Sequence, residues 1–281
     1  MEPRPRRGEP SVSSMSLRDI RACYFRDPLA IPPSRVRAAL AADPRAGAAS
    51  LLAQARMRLL RRRRLRRQAA RLLRWERPLW RSRVTRLAGV DEAGMGSLAG
   101  PVVAAAVILP PHLLLEGLTD SKALDRGWRE HLYGQIQRLA VGVGIGQAGA
   151  DEVDRLNVYH AGLTAMQRAV EALAPAPEHL LVDARHIPGL SIPQKAIVHG
   201  DALSLSIAAA SVIAKVTRDR IMEQFDRLFP GYGLARHKGY ATATHREAII
   251  RLGPSPIHRR SFTLVPGDPV QEPIFLPAAS P

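Results

Sequence analysis

Residues 87–110 read LAGVDEAGMGSLAGPVVAAAVILP, and two strands are legible in them. Leu87–Asp91 is a short apolar run, and Val102–Leu109 is rich in valine and alanine. Continuous apolar runs of this length suit strands covered on both faces. The first ends in two adjacent acids, Asp91 and Glu92, followed by Gly94-Met95-Gly96. Alternation along a strand points neighbouring side chains to opposite faces. Both acids therefore serve one site only if the chain bends there, which Gly94 and Gly96 permit. Desolvating two carboxylates together is costly, so a solvated strand-to-loop junction stands beside the functional reading.

Val141–Ile145, Leu180–Asp183 and Ala196–His199 read as further short strands. Asn157–Leu173, Asp201–Phe229 and His245–Leu252 carry helical patterns. Strands adjacent in sequence, followed by strands alternating with helices, predict an α/β domain with a mixed sheet flanked by helices. Asp183 closes a strand as Asp91 does, and Asp201 opens the long helix, where N-capping explains it equally well. Active sites of open α/β sheets collect at strand C-terminal ends. Four carboxylates without convergent histidine or cysteine describe a hard-cation site, suited to Mg²⁺ or Mn²⁺. Phosphodiester hydrolysis needs such a site, because two cations about 4 Å apart can offset charge on the attacking and leaving oxygens.

Charge divides the chain. Residues 1–86 hold 23 arginines, no lysine and six acids, a net +17, while the remainder is close to neutral at −1. A basic arm of this kind suits a polyanion such as nucleic acid, although a solvated arginine-rich helix has the same composition. The arm reads as a disordered tail over 1–15 and a helical extension over 16–85, with one long helix from Ala48 to Trp80. The globular body spans 86–265, before a proline-rich tail at 266–281. A single cysteine, Cys23, excludes disulfides and cysteine-based zinc sites. The most apolar stretch, Leu98–Leu115, is interrupted by glycines and prolines, and the N-terminus lacks a signal-peptide core. A cytoplasmic protein without a membrane span is expected.

Gly144-Ile-Gly146-Gln-Ala-Gly149 satisfies the dinucleotide fingerprint GxGxxG, but no acid ends a second strand at the required distance. Close sheet packing explains these glycines better, and no nucleotide cofactor is expected. His237, His245 and His258 lack ligand spacing and are assigned no metal. For Lys215 and Arg218 the choice between substrate contact and solvated charge stays open.

Several segments together resemble the bacterial ribonuclease HII family: residues 87–110, Asp120-Ser121-Lys122, Val182-Asp183, GDALSLSIAAASVIAKVTRDR at 200–220, YGLARHKGYAT at 232–242, and GPSPIHRRSF at 253–262. The arm, with DPRAG at 43–47 and WERPLW at 75–80, is similar to the N-terminal extension of Firmicutes-type members. The resemblance implies a ribonuclease H-like fold, with a mixed sheet flanked by helices. It also implies a metal-dependent endonuclease that cuts the RNA strand of RNA–DNA hybrids and ribonucleotides embedded in duplex DNA, leaving 5′-phosphate ends, in DNA replication and repair. It places Asp91, Glu92, Asp183 and Asp201 as catalytic metal ligands in a two-metal mechanism. Gly94, Met95, Gly96, Lys122, Lys238 and Tyr240 fall on the substrate side, with Tyr240 against the sugar. A monomer is expected. The family carries arginine where this chain has Met95, which weakens the expectation for a lone ribonucleotide, and commonly glycine where it has Ala184. A DNA-directed nuclease or a non-catalytic nucleic-acid-binding protein of the same fold is the alternative.

Overall fold

The computed structural model describes residues 11–27, 30–118, 124–265 and 267. Two compact units divide at Gln68/Ala69.

In the first unit a 3-10 turn at Val12–Ser14 precedes α1 (Leu17–Tyr24), α2 (Ser34–Ala42) and most of α3 (Ala46–Leu72). Ile20, Phe25, Val36, Leu40, Leu51 and Ala55 form its small core. Arg61–Arg64, Arg66 and Arg67 lie exposed along α3. The long helix expected to reach Trp80 stops at Leu72, and α4 (Glu76–Arg81) follows after a turn.

The described residues of the second unit contain five strands: β1 (Leu87–Ala93), β2 (Val102–Ile108), β3 (Gly142–Ala148), β4 (His179–Asp183) and β5 (Gln194–Ile197). Their order is β3-β2-β1-β4-β5. The first three pair antiparallel, while β4 pairs parallel with both β1 and β5. The helices are α5 (Arg126–Leu139), α6 (Ala150–Glu171), α7 (Gly200–Leu203), α8 (Leu205–Leu228), α9 (Leu234–His237) and α10 (Ala243–Leu252).

β2 is buried along its whole length. Its Ala105 and Val107 face α5 and α8, and its Ala104, Ala106 and Ile108 face α6, so a helical layer covers each side of the sheet. A Cβ on Gly144 or Gly146 would run into the carbonyls of Ala169 and Ala165 on α6. These glycines are there so that strand and helix backbones can meet.

Two helix starts differ from the sequence reading. α6 begins seven residues before Asn157, which interrupts it with φ of 64°. The expected helix from Asp201 is two helices, because Ser204 is extended and caps α8 by accepting from the Ile207 amide. Glu76 on α4 is buried, and its Oε1 accepts from Ser204 Oγ at 2.6 Å and from the Ser206 amide at 3.0 Å. An anion thus faces the start of α8, where helix amides want one.

Candidate active site

The parallel pairing of β1 with β4 ends at Val90↔Val182. The next residues, Asp91 and Asp183, sit side by side at the same sheet end. Asp91, Glu92 and Asp183 each offer an oxygen within 4.8 Å of the others. The chain does not bend between the two adjacent acids, since β1 keeps its register with β2 through Ala93. Asp91 lies toward Ser211 of α8, and Glu92 toward Arg185, whose Nη2 is 3.3 Å from Glu92 Oε1. They share a site because Asp91 Oδ1 turns along the strand to accept the Glu92 amide at 2.7 Å. Asp183 Oδ1 accepts the Gly200 amide at 2.6 Å.

Burial, and then the charges of Glu92 and Asp183, push the Asp91 carboxyl well above the usual carboxylate range. Three carboxylates brought together, one buried and two half-buried, favour a proton or a cation among them. The donor set is all oxygen. Hard divalent cations take oxygen ligands of this kind, so the chemistry of the donor set fits Mg²⁺ or Mn²⁺. Asp201 is buried in the first turn of α7, one residue beyond the amide that holds Asp183. It is not one of the three clustered acids.

A cleft of about 540 Å³ is lined by Glu92, Gly94, Met95, Gly96, Lys215 and Tyr240, among others. The glycine loop holds its shape because Gly94 has φ of 98° and because Arg218 leaves no room for a Cβ there. Fully buried Arg218 donates from Nε to Pro101 O at 3.0 Å, from Nη1 to Lys238 O at 2.9 Å and from Nη2 to Ala99 O at 3.1 Å. Equally buried Arg259 donates to Gly100 O at 3.0 Å and Met95 O at 2.9 Å. Burial, and then Arg218, lower the Arg259 pKa to about 9. Arg218 thus ties Ala99 and Pro101 to the segment carrying Tyr240, with which Ser97 also forms a β-bridge, while Arg259 pins the loop at Met95 and Gly100.

The Tyr240 ring lies 5.4 Å from both the Lys215 amine and the Arg218 guanidinium carbon. Lys215 pairs with Asp219 at 2.6 Å. Lys238 turns its amine to Glu223 at 2.7 Å. Lys122 lies outside the described residues.

The three scattered histidines meet beneath Tyr240. An amide can only donate, so His258 Nδ1 accepts from Ser255 N at 2.9 Å. Its Nε2 then carries hydrogen and donates to His245 Nε2 at 3.1 Å, and His245 Nδ1 donates to Tyr240 O at 2.9 Å. His237 stacks on His245 at 4.2 Å, accepts from the Gly239 amide and donates to Tyr232 O. Sequence reasoning missed this relay, as well as the roles of Arg185, Arg218 and Arg259, because none of them has a distinctive spacing.

The profile of the ribonuclease HII family matches residues 88–265. Ribonuclease HII of Myxococcus xanthus is 54% identical over 250 residues, covering 89% of this chain and 84% of that protein. Ribonuclease HII of Geobacillus kaustophilus is 53% identical over 223 residues, covering 79% and 85%. The crystal structure of ribonuclease H2 from Pyrococcus horikoshii is similar with a TM-score of 0.55 and 26% identity, over 63% of this chain and 94% of that one. Only 16 residues follow position 265, so the Myxococcus match runs well into the arm.

Proposed function

The chain belongs to the ribonuclease HII family, and on that premise we propose that it cleaves the RNA strand of RNA–DNA hybrids, and ribonucleotides embedded in duplex DNA, by divalent-metal hydrolysis that leaves 5′-phosphates. Its activity is that of a ribonuclease H endonuclease. The observation that carries the metal-dependent reading is the carboxylate triad within 4.8 Å, whose Glu92 lines the cleft together with Met95 and Tyr240.

Asp91, Glu92 and Asp183 would hold Mg²⁺ or Mn²⁺, with Asp201 as a fourth carboxylate. Bound there, the cations supply Lewis acidity and charge neutralisation at the scissile phosphate. Ser211 and the Glu92 amide hold Asp91, and the Gly200 amide holds Asp183, so both carboxylates are fixed before substrate arrives. The backbone around Met95 reads the 2′-OH. The half-exposed ring of Tyr240 stacks on the neighbouring sugar, where only that hydroxyl distinguishes RNA from DNA. Lys122 and Lys238 belong to the substrate side in this reading. The arginine arm adds phosphate contacts without sequence preference. No helix among the described residues is long and apolar enough to cross a membrane, and we place the protein in the cytoplasm, acting as a monomer.

Cleavage of an end-labelled RNA–DNA hybrid in Mg²⁺ tests this reading. Asp91→Asn and Asp183→Asn each remove a ligand charge and are expected to lower the rate by at least about a hundredfold, with the fold intact by circular dichroism. Near-native cleavage by either variant at saturating Mg²⁺ refutes the site. Cleavage of all-DNA duplex at a similar rate favours the DNA-directed alternative.

A further inference from the structure

Arg185 stands two residues after Asp183, where β4 has ended. Ala184, with φ of 50°, turns the chain there while its amide bonds Ile197 O at 2.9 Å. That turn brings the Arg185 side chain back over the sheet end. Its Nη2 lies 3.3 Å from Glu92 Oε1, its Nη1 lies 4.0 Å from Met95 Sδ, and its guanidinium carbon lies 5.0 Å from the centre of the Tyr159 ring. Gly162 of α6 is the floor beneath, since a Cβ there would come within 2.9 Å of Arg185 Nη1 and 3.0 Å of Met95 Sδ. The guanidinium therefore occupies the place that the side chain of the glycine loop points to.

The bonds it makes set it apart from the other arginines of the site. Arg218 spends its donors on three backbone carbonyls and Arg259 on two. Among the described residues Arg185 bonds no backbone oxygen. Its partners are a thioether, which accepts weakly, an aromatic face, and one carboxylate at a distance long for a charge-assisted bond. A guanidinium has five donors in a planar fork that matches a phosphate. Its side chain is 18% exposed, so the fork is shielded but reachable.

We propose that Arg185 is a substrate-binding residue whose guanidinium bonds a backbone phosphate beside the Gly94-Met95-Gly96 loop, supplying from the end of β4 the cation that Met95 does not carry. The inference rests on the ribonuclease reading for the identity of the ligand. Stacking on Tyr159 holds the fork in place, and Glu92 keeps it charged-paired until a phosphate takes its donors.

The test is equilibrium binding of a fluorescein-labelled RNA–DNA hybrid, followed by anisotropy in EDTA across a salt series, with full-length protein. Arg185→Met is expected to weaken binding about tenfold and to lower the slope of log affinity against log salt by about one. The exchange variant Met95→Arg with Arg185→Met is expected to recover most of that affinity, because the guanidinium returns from the other side of the same contact. Native affinity and salt slope in Arg185→Met overturn the proposal, as does failure of the exchange to recover affinity when Arg185→Met is weakened. Should Arg185→Met not fold, Arg185→Gln is read by the same two measures. Hybrid cleavage by the native enzyme is assayed alongside: its absence refutes the ribonuclease reading, whereas its presence with unchanged binding in the variant refutes Arg185 alone.

Discussion

Six arginines between positions 61 and 67 stand exposed along α3, whereas Arg218 and Arg259 in the second unit are fully buried. The first group is a charge density. Its members are adjacent on one helix, and a polyanion does not depend on any one of them. The second pair uses the guanidinium for its geometry: the Arg218 fork is matched to the carbonyls of Ala99, Pro101 and Lys238, and the Arg259 fork to those of Met95 and Gly100. The same side chain therefore tolerates substitution in one unit and resists it in the other. Composition records the first use as net charge and cannot record the second.

Replacing Arg218 is the most severe way to sharpen this contrast. Arg218→Met leaves the carbonyls of Ala99, Pro101 and Lys238 without their donor in a dry site. Removing one partner from a buried charged network costs about 3–5 kcal/mol, so chemical denaturation is expected to show a loss of that size. A loss below about 1 kcal/mol would mean that the loops hold their shape without the arginine.

An intermediate effect is expected from acid. Burial holds His245 and His258 near pKa values of about 4, below the 6.5 of the exposed ring. The unfolded chain then binds protons more readily than the folded one, so their contribution is complete above about pH 6.5 and is lost as pH falls toward about 4. Thermal melting of the native protein and of His258→Asn across pH 7.5 to 4.5 reads this. The variant is expected to be less stable at neutral pH, with a shallower fall in acid. Parallel curves would place the acid sensitivity elsewhere.

The smallest effect belongs to the arm. Arg63→Gln is expected to change hybrid affinity by less than about twofold, while neutralising all six arginines lowers the salt slope by several units. A single substitution that abolished binding would show that α3 has a specific site, breaking the contrast.

Legibility in the sequence followed the same division. β1 and β2 were visible because their apolar runs are short, bounded by glycine or proline and, in β2, rich in valine, which suits a strand buried on both faces. The carboxylates were visible because they end such runs. α5 carries only a faint signal in sequence, since its polar residues surround a narrow buried stripe at Leu132 and Ile136. The early start of α6 was hidden by Asn157, whose left-handed backbone has no distinct signature in sequence. The break at Ser204 was hidden because neither glycine nor proline marks it. Arg218 lies on a helix whose pattern suits a surface arginine as well as a buried one, and only the tertiary contacts separate the two. His237, His245 and His258 come from α9, α10 and the segment after it, and their hydrogen bonds exist only once those pieces pack together.

The pairing of β1 with β4 also has a consequence in time. It joins Val90 to Val182, positions 92 residues apart. The antiparallel strands β1, β2 and β3 are closer neighbours in the chain and can form first, because shorter loops cost less entropy to close. During synthesis from the N-terminus, Asp91 and Glu92 are thus available early, on a sheet that still has an open edge at β1. Asp183 joins them only after β4 has emerged and docked on that edge. Until then the nascent chain carries Asp91 and Glu92 without the third carboxylate of the cluster, so the geometry that suits a cation is completed only late in synthesis.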